Sequence, residues 1–227
     1  MLAGNGKKFY EFFIQLVLII VGVLSALAVD NYRESIQERK TEKEYLINLR
    51  NSVQSDTALI RTEIQRIYSK INAISELIAL SNSSATIDNE KFGDLITDVI
   101  MLIRPNFITA VYEELKFTGN FKLIRNNELK LLIISYYSDN ALLQEQNDRD
   151  LGIYTSELID VLTFDELEYK TPFDQKRIFK AIQQRGTLMN ELIHSQKRAT
   201  IVRTGLIYTS LPRSIELLEK LQSEIDK

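Results

Sequence analysis

The side chains that could carry chemistry are few and far apart. The chain has no cysteine and one histidine. Without cysteine there are no thiolate nucleophiles, disulfides or iron–sulfur clusters, and most structural zinc sites are excluded too. His194 lies in "NELIHSQKR", and one histidine cannot build a metal site unaided. A Ser-His-Asp relay would need it, yet no Gly-x-Ser-x-Gly elbow is present. Glu113-Glu114 and Asp165-Glu166 are adjacent carboxylates; neighbours on a helix point apart, so neither makes an acid–base pair. "GNGKK", residues 4–8, has the glycine and lysine of a phosphate loop but not its spacing, its Ser/Thr or a preceding strand. It reads as a flexible tail. These residues imply a protein that is not an enzyme, with no cofactor, no metal and no evident small-molecule substrate. A net charge of −3 gives no long-range field of the kind that gathers nucleic acid.

Stepping from side chains to elements, eight glycines and three prolines in 227 residues favour helices over a fold of many tight turns. The predicted class is all-α. From Phe12 to Val29 the only polar side chains are Gln15 and Ser25. A helix over this run spans about 27 Å, close to the hydrocarbon thickness of a bilayer. Aromatics flank it (Phe9, Tyr10 and Tyr32), where membrane interfaces favour them. The same run could be a cleaved leader, with Ala26 and Ala28 in "SALA" at a small-x-small site. Against cleavage, "VDNYRESIQERKTEKEYL" continues as a helix former without proline or glycine. The expected organisation is therefore a tail at 1–11, a transmembrane helix at 12–29 and a helical-bundle domain at 30–227. The span would run on as a long helix of an elongated antiparallel bundle.

Within the span, Gly22 and Ala26 form a small-xxx-small face, and Gln15 could add an interhelical hydrogen bond. Beyond it, Ile60, Ile64, Ile67, Ile71, Ile74 and Ile78 alternate steps of four and three, a seam suited to an intramolecular bundle or to an oligomeric coiled coil. "SNSSATIDNE" (81–90) should end this helix. A short helix from Asn89 to Ile103 closes before Pro105, and another is stopped by Gly119. Asn126 is a plausible N-cap, with Glu128 in the first turn. The helix it starts carries Leu129, Leu132, Ile133, Tyr136, Leu143, Leu151, Tyr154, Leu158 and Val161 on one stripe. Acids crowd residues 139–168 and bases crowd 173–203, either side of "YKTP", which predicts a helical hairpin with opposite charges across its rim. A last helix, Thr187 to Ile225, should kink or break near Pro212.

Two blocks also carry a resemblance. "EFFIQLVLIIVGVLSALAVDNYRESIQERKTEKEYLINL" (11–49) and "YEELKFTGNFKLIRNNELKLLIISYY" (112–137) resemble a family of uncharacterised single-pass membrane proteins abundant in Bacteroidetes. Glu11, Gly22, Leu24, Ala26, Leu27, Asp30, Asn31 and Tyr32 match its opening pattern, with tyrosine where tryptophan is usual. The resemblance implies a retained span and a bacterial inner-membrane location; it brings no activity. Two Lys/Arg precede the span and Arg33, Arg39, Lys40 and Lys43 follow it, which by themselves would hold the C-terminal side in the cytoplasm. A basic tail before an apolar run is the form of a signal anchor, and long domains translocate regardless of such charges, so the bulk domain is expected in the periplasm. The expected role is a non-catalytic, membrane-anchored scaffold or sensor-like subunit acting by protein–protein contact, with a second copy or a membrane-protein partner. The alternative is an oligomeric pore, with Gln15 and Ser25 facing the lumen and Glu11 at its mouth.

Overall fold

The computed structural model describes residues 5–83, 85–154 and 174–227, with the side chains of 5–9, 11, 12 and 146–154 left aside. Every described element is a helix or a connecting turn. The long helix α1 (Asn5–Ser83) is the spine, and it begins at Asn5, so Lys7 and Lys8 sit in a helix rather than in the loose tail expected of "GNGKK". No proline interrupts it, and its one glycine beyond Gly6 is Gly22. That composition explains why one rod continues from the apolar run into the charged segment.

The other elements run along the upper part of α1. Helix α2 (Asn89–Ile100) descends beside it, capped by Asp88, whose Oδ1 accepts from the backbone N–H groups of Glu90 (3.0 Å) and Lys91 (3.4 Å). It stops at Ile100, three residues short of the expected end, and the chain from Met101 to Thr109 has no regular structure, with Pro105 inside it. Residues before proline avoid helical geometry, and Ile103 and Phe107 are buried from this irregular stretch instead. Helix α3 (Ala110–Thr118) continues the descent and ends at Gly119, whose φ of 70° is the left-handed terminator the sequence predicted. A short 3-10 turn (Asn120–Leu123) reverses the chain. Helix α4 (Asn127–Tyr154) then climbs parallel to α1, with Asn126 Oδ1 accepting from the Leu129 N–H at 3.1 Å as expected of an N-cap.

At the top, α5 (Gln175–Gln184) is separated from α6 (Gly186–Gly205) by a break at Arg185. The buried Gln175 bonds in both directions with Ile87 (3.0 and 2.7 Å), fastening α5 to the turn above α1. Helix α6 passes through a π-turn (Leu206–Ser210) into α7 (Leu211–Ile225). Pro212 was expected to kink or break this helix. The helix does not break there: a wider turn, closed by the Leu211 N–H on the Leu206 carbonyl, comes just before the proline, the kind of local irregularity at which helices kink.

Contacts fix the directions. Gln196 bonds to Ile71 and Ser75, and Gln222 bonds to Arg50, so α6–α7 runs antiparallel to α1. Apolar residues form stacked clusters along the rod: a lower one on Leu46, Leu49 and Val53, a middle one on Ile60 and Ile67, and an upper one on Ile74 and Leu77. Arg213 pairs with Asp139 and donates to Ser135 Oγ at 2.8 Å, tying α7 to α4. The acidic segment from residue 146 onward, "YKTP", and the stripe positions Leu151, Tyr154, Leu158 and Val161 lie outside the described residues and side chains.

Candidate functional site

Below the bundle, α1 stands alone. Every described side chain from Tyr10 to Lys40 is exposed, and burial begins at Thr41 and Glu42. Within this length Leu18 and Ile19 are each 64 % exposed and Val29 is 59 % exposed, with apolar residues on every side of the helix. By length and composition this is a helix that could cross a membrane, and none of its apolar window is buried by the rest of the chain. A helix apolar all round needs either a protein interior or lipid around it. Gly22, Ala26 and Gln15 all sit on this bare segment, and a Cβ placed on Gly22 would meet nothing within 4 Å. Glu11 belongs to the side chains left aside.

The isoleucine seam is resolved differently from its sequence pattern. Ile60, Ile67 and Ile74 are fully buried, while Ile64, Ile71 and Ile78 are only half-buried. The positions completing the buried face are one residue earlier: Asp56, Glu63, Lys70 and Leu77, all buried. The seam is covered by this chain itself, Ile60 and Ile67 meeting Ile103, Phe107, Ala199, Val202 and Leu206. The face that looked wholly apolar therefore carries three charged residue types at intervals of seven.

Each of the three is held differently. Asp56 accepts from the Ile108 N–H (2.9 Å, Oδ1) and from the Tyr136 hydroxyl (3.0 Å, Oδ2), pinning the irregular stretch 101–109 and α4 to the spine. Burial pushes its carboxyl upward, while the two hydrogen bonds pull the other way. Glu63 accepts from Arg66 at 2.8 Å, one turn along. Lys70 donates to the carbonyls of Val99 (2.5 Å) and Met101 (2.7 Å), and so closes the C-terminal end of α2. Desolvation and the nearby Arg198 lower its ammonium to about 8, with Asp98 opposing.

Around Asp56 the aromatics form one stack. Tyr112 lies over Tyr137 at 4.4 Å between centroids, and Tyr136 meets Tyr137 edge-on at 5.0 Å. Burial, then the Asp56 carboxylate, raises both Tyr136 and Tyr137 hydroxyls, so they stay protonated at any ordinary pH. This matches the packed, buried-hydroxyl reading of that tyrosine pair. Ser210, at the end of the π-turn, donates to Asn140 Oδ1 at 2.7 Å one turn above.

What this girdle can do chemically is limited. Both oxygens of Asp56 are occupied by donors, and Lys70 is committed to backbone carbonyls, so neither is presented to a substrate. His194 is exposed on α6. Glu114 accepts from Tyr45 at 2.8 Å and Glu113 pairs with Lys116 at 3.6 Å, so the adjacent carboxylates serve separate contacts. Among the described residues no group of three or more His, Cys, Asp or Glu could hold a metal ion. No family model, curated protein or solved structure matches the chain.

Proposed function

We propose that the protein is a non-catalytic scaffold or sensor-like subunit of a bacterial inner membrane. Its span is the apolar part of α1, and its helical bundle is held off the bilayer on a rigid stalk. The carrying observation is the bare apolar length of α1, joined to the bundle by an unbroken helix. From Val29 to the first buried residue at Glu42 that helix rises about 20 Å. A rod with no hinge transmits position and rotation, which suits a part acting by contact rather than by turnover. The resemblance of residues 11–49 and 112–137 to single-pass membrane proteins supports the same reading, and we place the bundle in the periplasm.

Flotation with liposomes after alkaline washing tests the anchor. The expected result is full-length chain in the lipid layer. Recovery of the chain from the aqueous layer, trimmed to begin at Val29, would overturn the reading in favour of a cleaved leader. Protease added outside spheroplasts tests the side: digestion of the bundle is expected, and protection would put it in the cytoplasm.

A further inference from the structure

We infer that a second copy of this chain, anchored in the same membrane, docks along one face of α1 that runs from the stalk into an open groove of the bundle. The inference rests on the anchor reading, because only co-anchored copies share height and direction.

Tyr32 and Ile36 are 69 % and 53 % exposed in an otherwise charged stalk. With Val29 below them they recur at steps of three and four, so they share a side of the helix. Continued by sevens and by fours, that side passes through Lys43 and Ile47 to Gln54, Ala58 and Arg61. It lies away from the Leu46–Leu49–Val53 face that packs inside the bundle. At the height of the bundle Ile47 on this side is half-buried against the lower cluster, while above it the side is left open at Gln54, Ala58 and Arg61. It forms one wall of an open groove, with Ala58 on α1 facing Ile215 and Leu218 on α7. The unpartnered apolar residues of the stalk and the open groove above are therefore one continuous surface.

Two further observations identify a second copy as the occupant. The groove's charges are divided by wall, Arg50 and Arg61 on α1, Glu219 on α7 and Asp226 just past its end; Arg50 and Asp226 are both bonded to Gln222 of the same chain, which leaves Arg61 and Glu219 to meet a partner. A two-fold axis parallel to the rods brings each copy's α1 wall towards the other's α7 wall, so the surface is complementary to itself, as an isologous interface must be. The area also suffices. Val29 to Arg61 rises about 48 Å, and a strip roughly 10 Å wide on each copy gives roughly 1,000 Å² for the pair, the lower bound for a specific interface. This contact is distinct from the isoleucine seam, which is used up inside the chain.

The absence of native cysteine makes the test direct. Full-length chain reconstituted in liposomes carries a single cysteine at Ile36→Cys, Tyr32→Cys or, on the opposite side of the stalk, Glu34→Cys, and is oxidised. Disulfides form only where Cα atoms approach within about 7 Å, so dimer yield at the first two sites should exceed that at Glu34→Cys by on the order of tenfold. In the Ile36→Cys background, Glu219→Lys should lower the yield, and adding Arg61→Glu should restore it. Equal yields at all three sites, or none, overturn the docking face. Unchanged yield with Glu219→Lys overturns its extension into the groove. Flotation of the same samples separates this from the anchor: chain that floats without crosslinking refutes only the dimer, while chain that fails to float refutes both.

Discussion

Tyr136→Phe removes one oxygen and nothing else, which makes it a clean probe of the polar girdle. The hydroxyl donates at 3.0 Å to a carboxylate with no exposed surface, and the ring is 1 % exposed. A hydrogen bond to a charged group contributes about 1.5–3 kcal/mol, against about 0.5–1.5 kcal/mol for a neutral one. Replacing the hydroxyl should therefore cost about 2 kcal/mol, with little added by a void the size of one oxygen. Asp56→Asn should behave oppositely. Its amide oxygen still accepts from Ile108, its amide nitrogen donates to the tyrosine oxygen, and the buried charge is gone. The expected change at neutral pH is between zero and a modest gain. In the Asp56→Asn background Tyr136→Phe should cost about 1 kcal/mol, so the cycle carries a coupling of about 1 kcal/mol.

The sign with pH follows from the direction of the shift. Burial holds the folded carboxyl above its unfolded value of 3.8, so the folded state binds the extra proton between the two. The stabilising effect of protonation is present at low pH and lost as pH rises through the folded value. Asp56→Asn should thus gain most over the parent chain at neutral pH and least under acid conditions. Urea unfolding of the full chain in mild detergent, followed by far-ultraviolet circular dichroism, measures all four corners of the cycle. A Tyr136→Phe cost below about 0.5 kcal/mol, or the same cost in both backgrounds, would refute the pinning role assigned to Asp56.

Three other outcomes are expected. Lys70→Met removes a group whose folded value, about 8, lies below the ordinary lysine value of 10.5; the unfolded chain then binds more protons between these limits, so the parent should gain up to about 3 kcal/mol relative to the variant as pH rises through that window, read by urea midpoints at successive pH. Ile67→Ala, at a fully buried position, should cost about 2–5 kcal/mol, and Ile64→Ala, half-buried one turn earlier, distinctly less; equal costs would contradict the register of the buried face. Gly119→Ala forces a side chain into φ 70° and should cost about 1–2 kcal/mol although a Cβ there meets no neighbour, which thermal unfolding would show.

The elements legible in the sequence were those set by local chemistry. The left-handed stop at Gly119, the N-cap at Asn126, the helical end near Ser83 and the apolar run before Asp30 each depend on a few residues and elementary backbone preference. The buried face of α1 was only partly legible. Isoleucine at 64, 71 and 78 is as apolar as isoleucine at 60, 67 and 74, so a hydrophobic pattern cannot tell which positions partner elements bury completely. The missing signal was the period-seven series Asp56, Glu63, Lys70. Hydropathy reads it as a solvated stripe, yet each residue is buried because a distant segment or a neighbouring turn supplies its partner. Such partners are separated by 52 residues for Asp56 and Ile108, and periodicity in one helix holds no information about them. Pro212 marks an irregularity in the last helix, and the sequence does not say which form it takes, because a helix can widen by one residue as well as break.

The same separation of scales bears on how the rod works. Two charged members of the buried face are points where α1 is fixed to other elements: Asp56 to the irregular stretch 101–109 and α4, Lys70 to the end of α2. Apolar contacts between stacked clusters resist sliding through close packing, but a shifted register can bury methyl groups again. Hydrogen bonds to a buried carboxylate or ammonium allow no such recovery, because a shift of one residue leaves a charge without its donor or acceptor. Rotation of α1 against its own bundle is therefore opposed at two heights, while the stalk below Thr41 is held by little beyond the reach of Arg125 to Ser35 and Glu38. On the proposed anchor reading, torque entering at the lower end of α1 turns the bundle as a body rather than unwinding it.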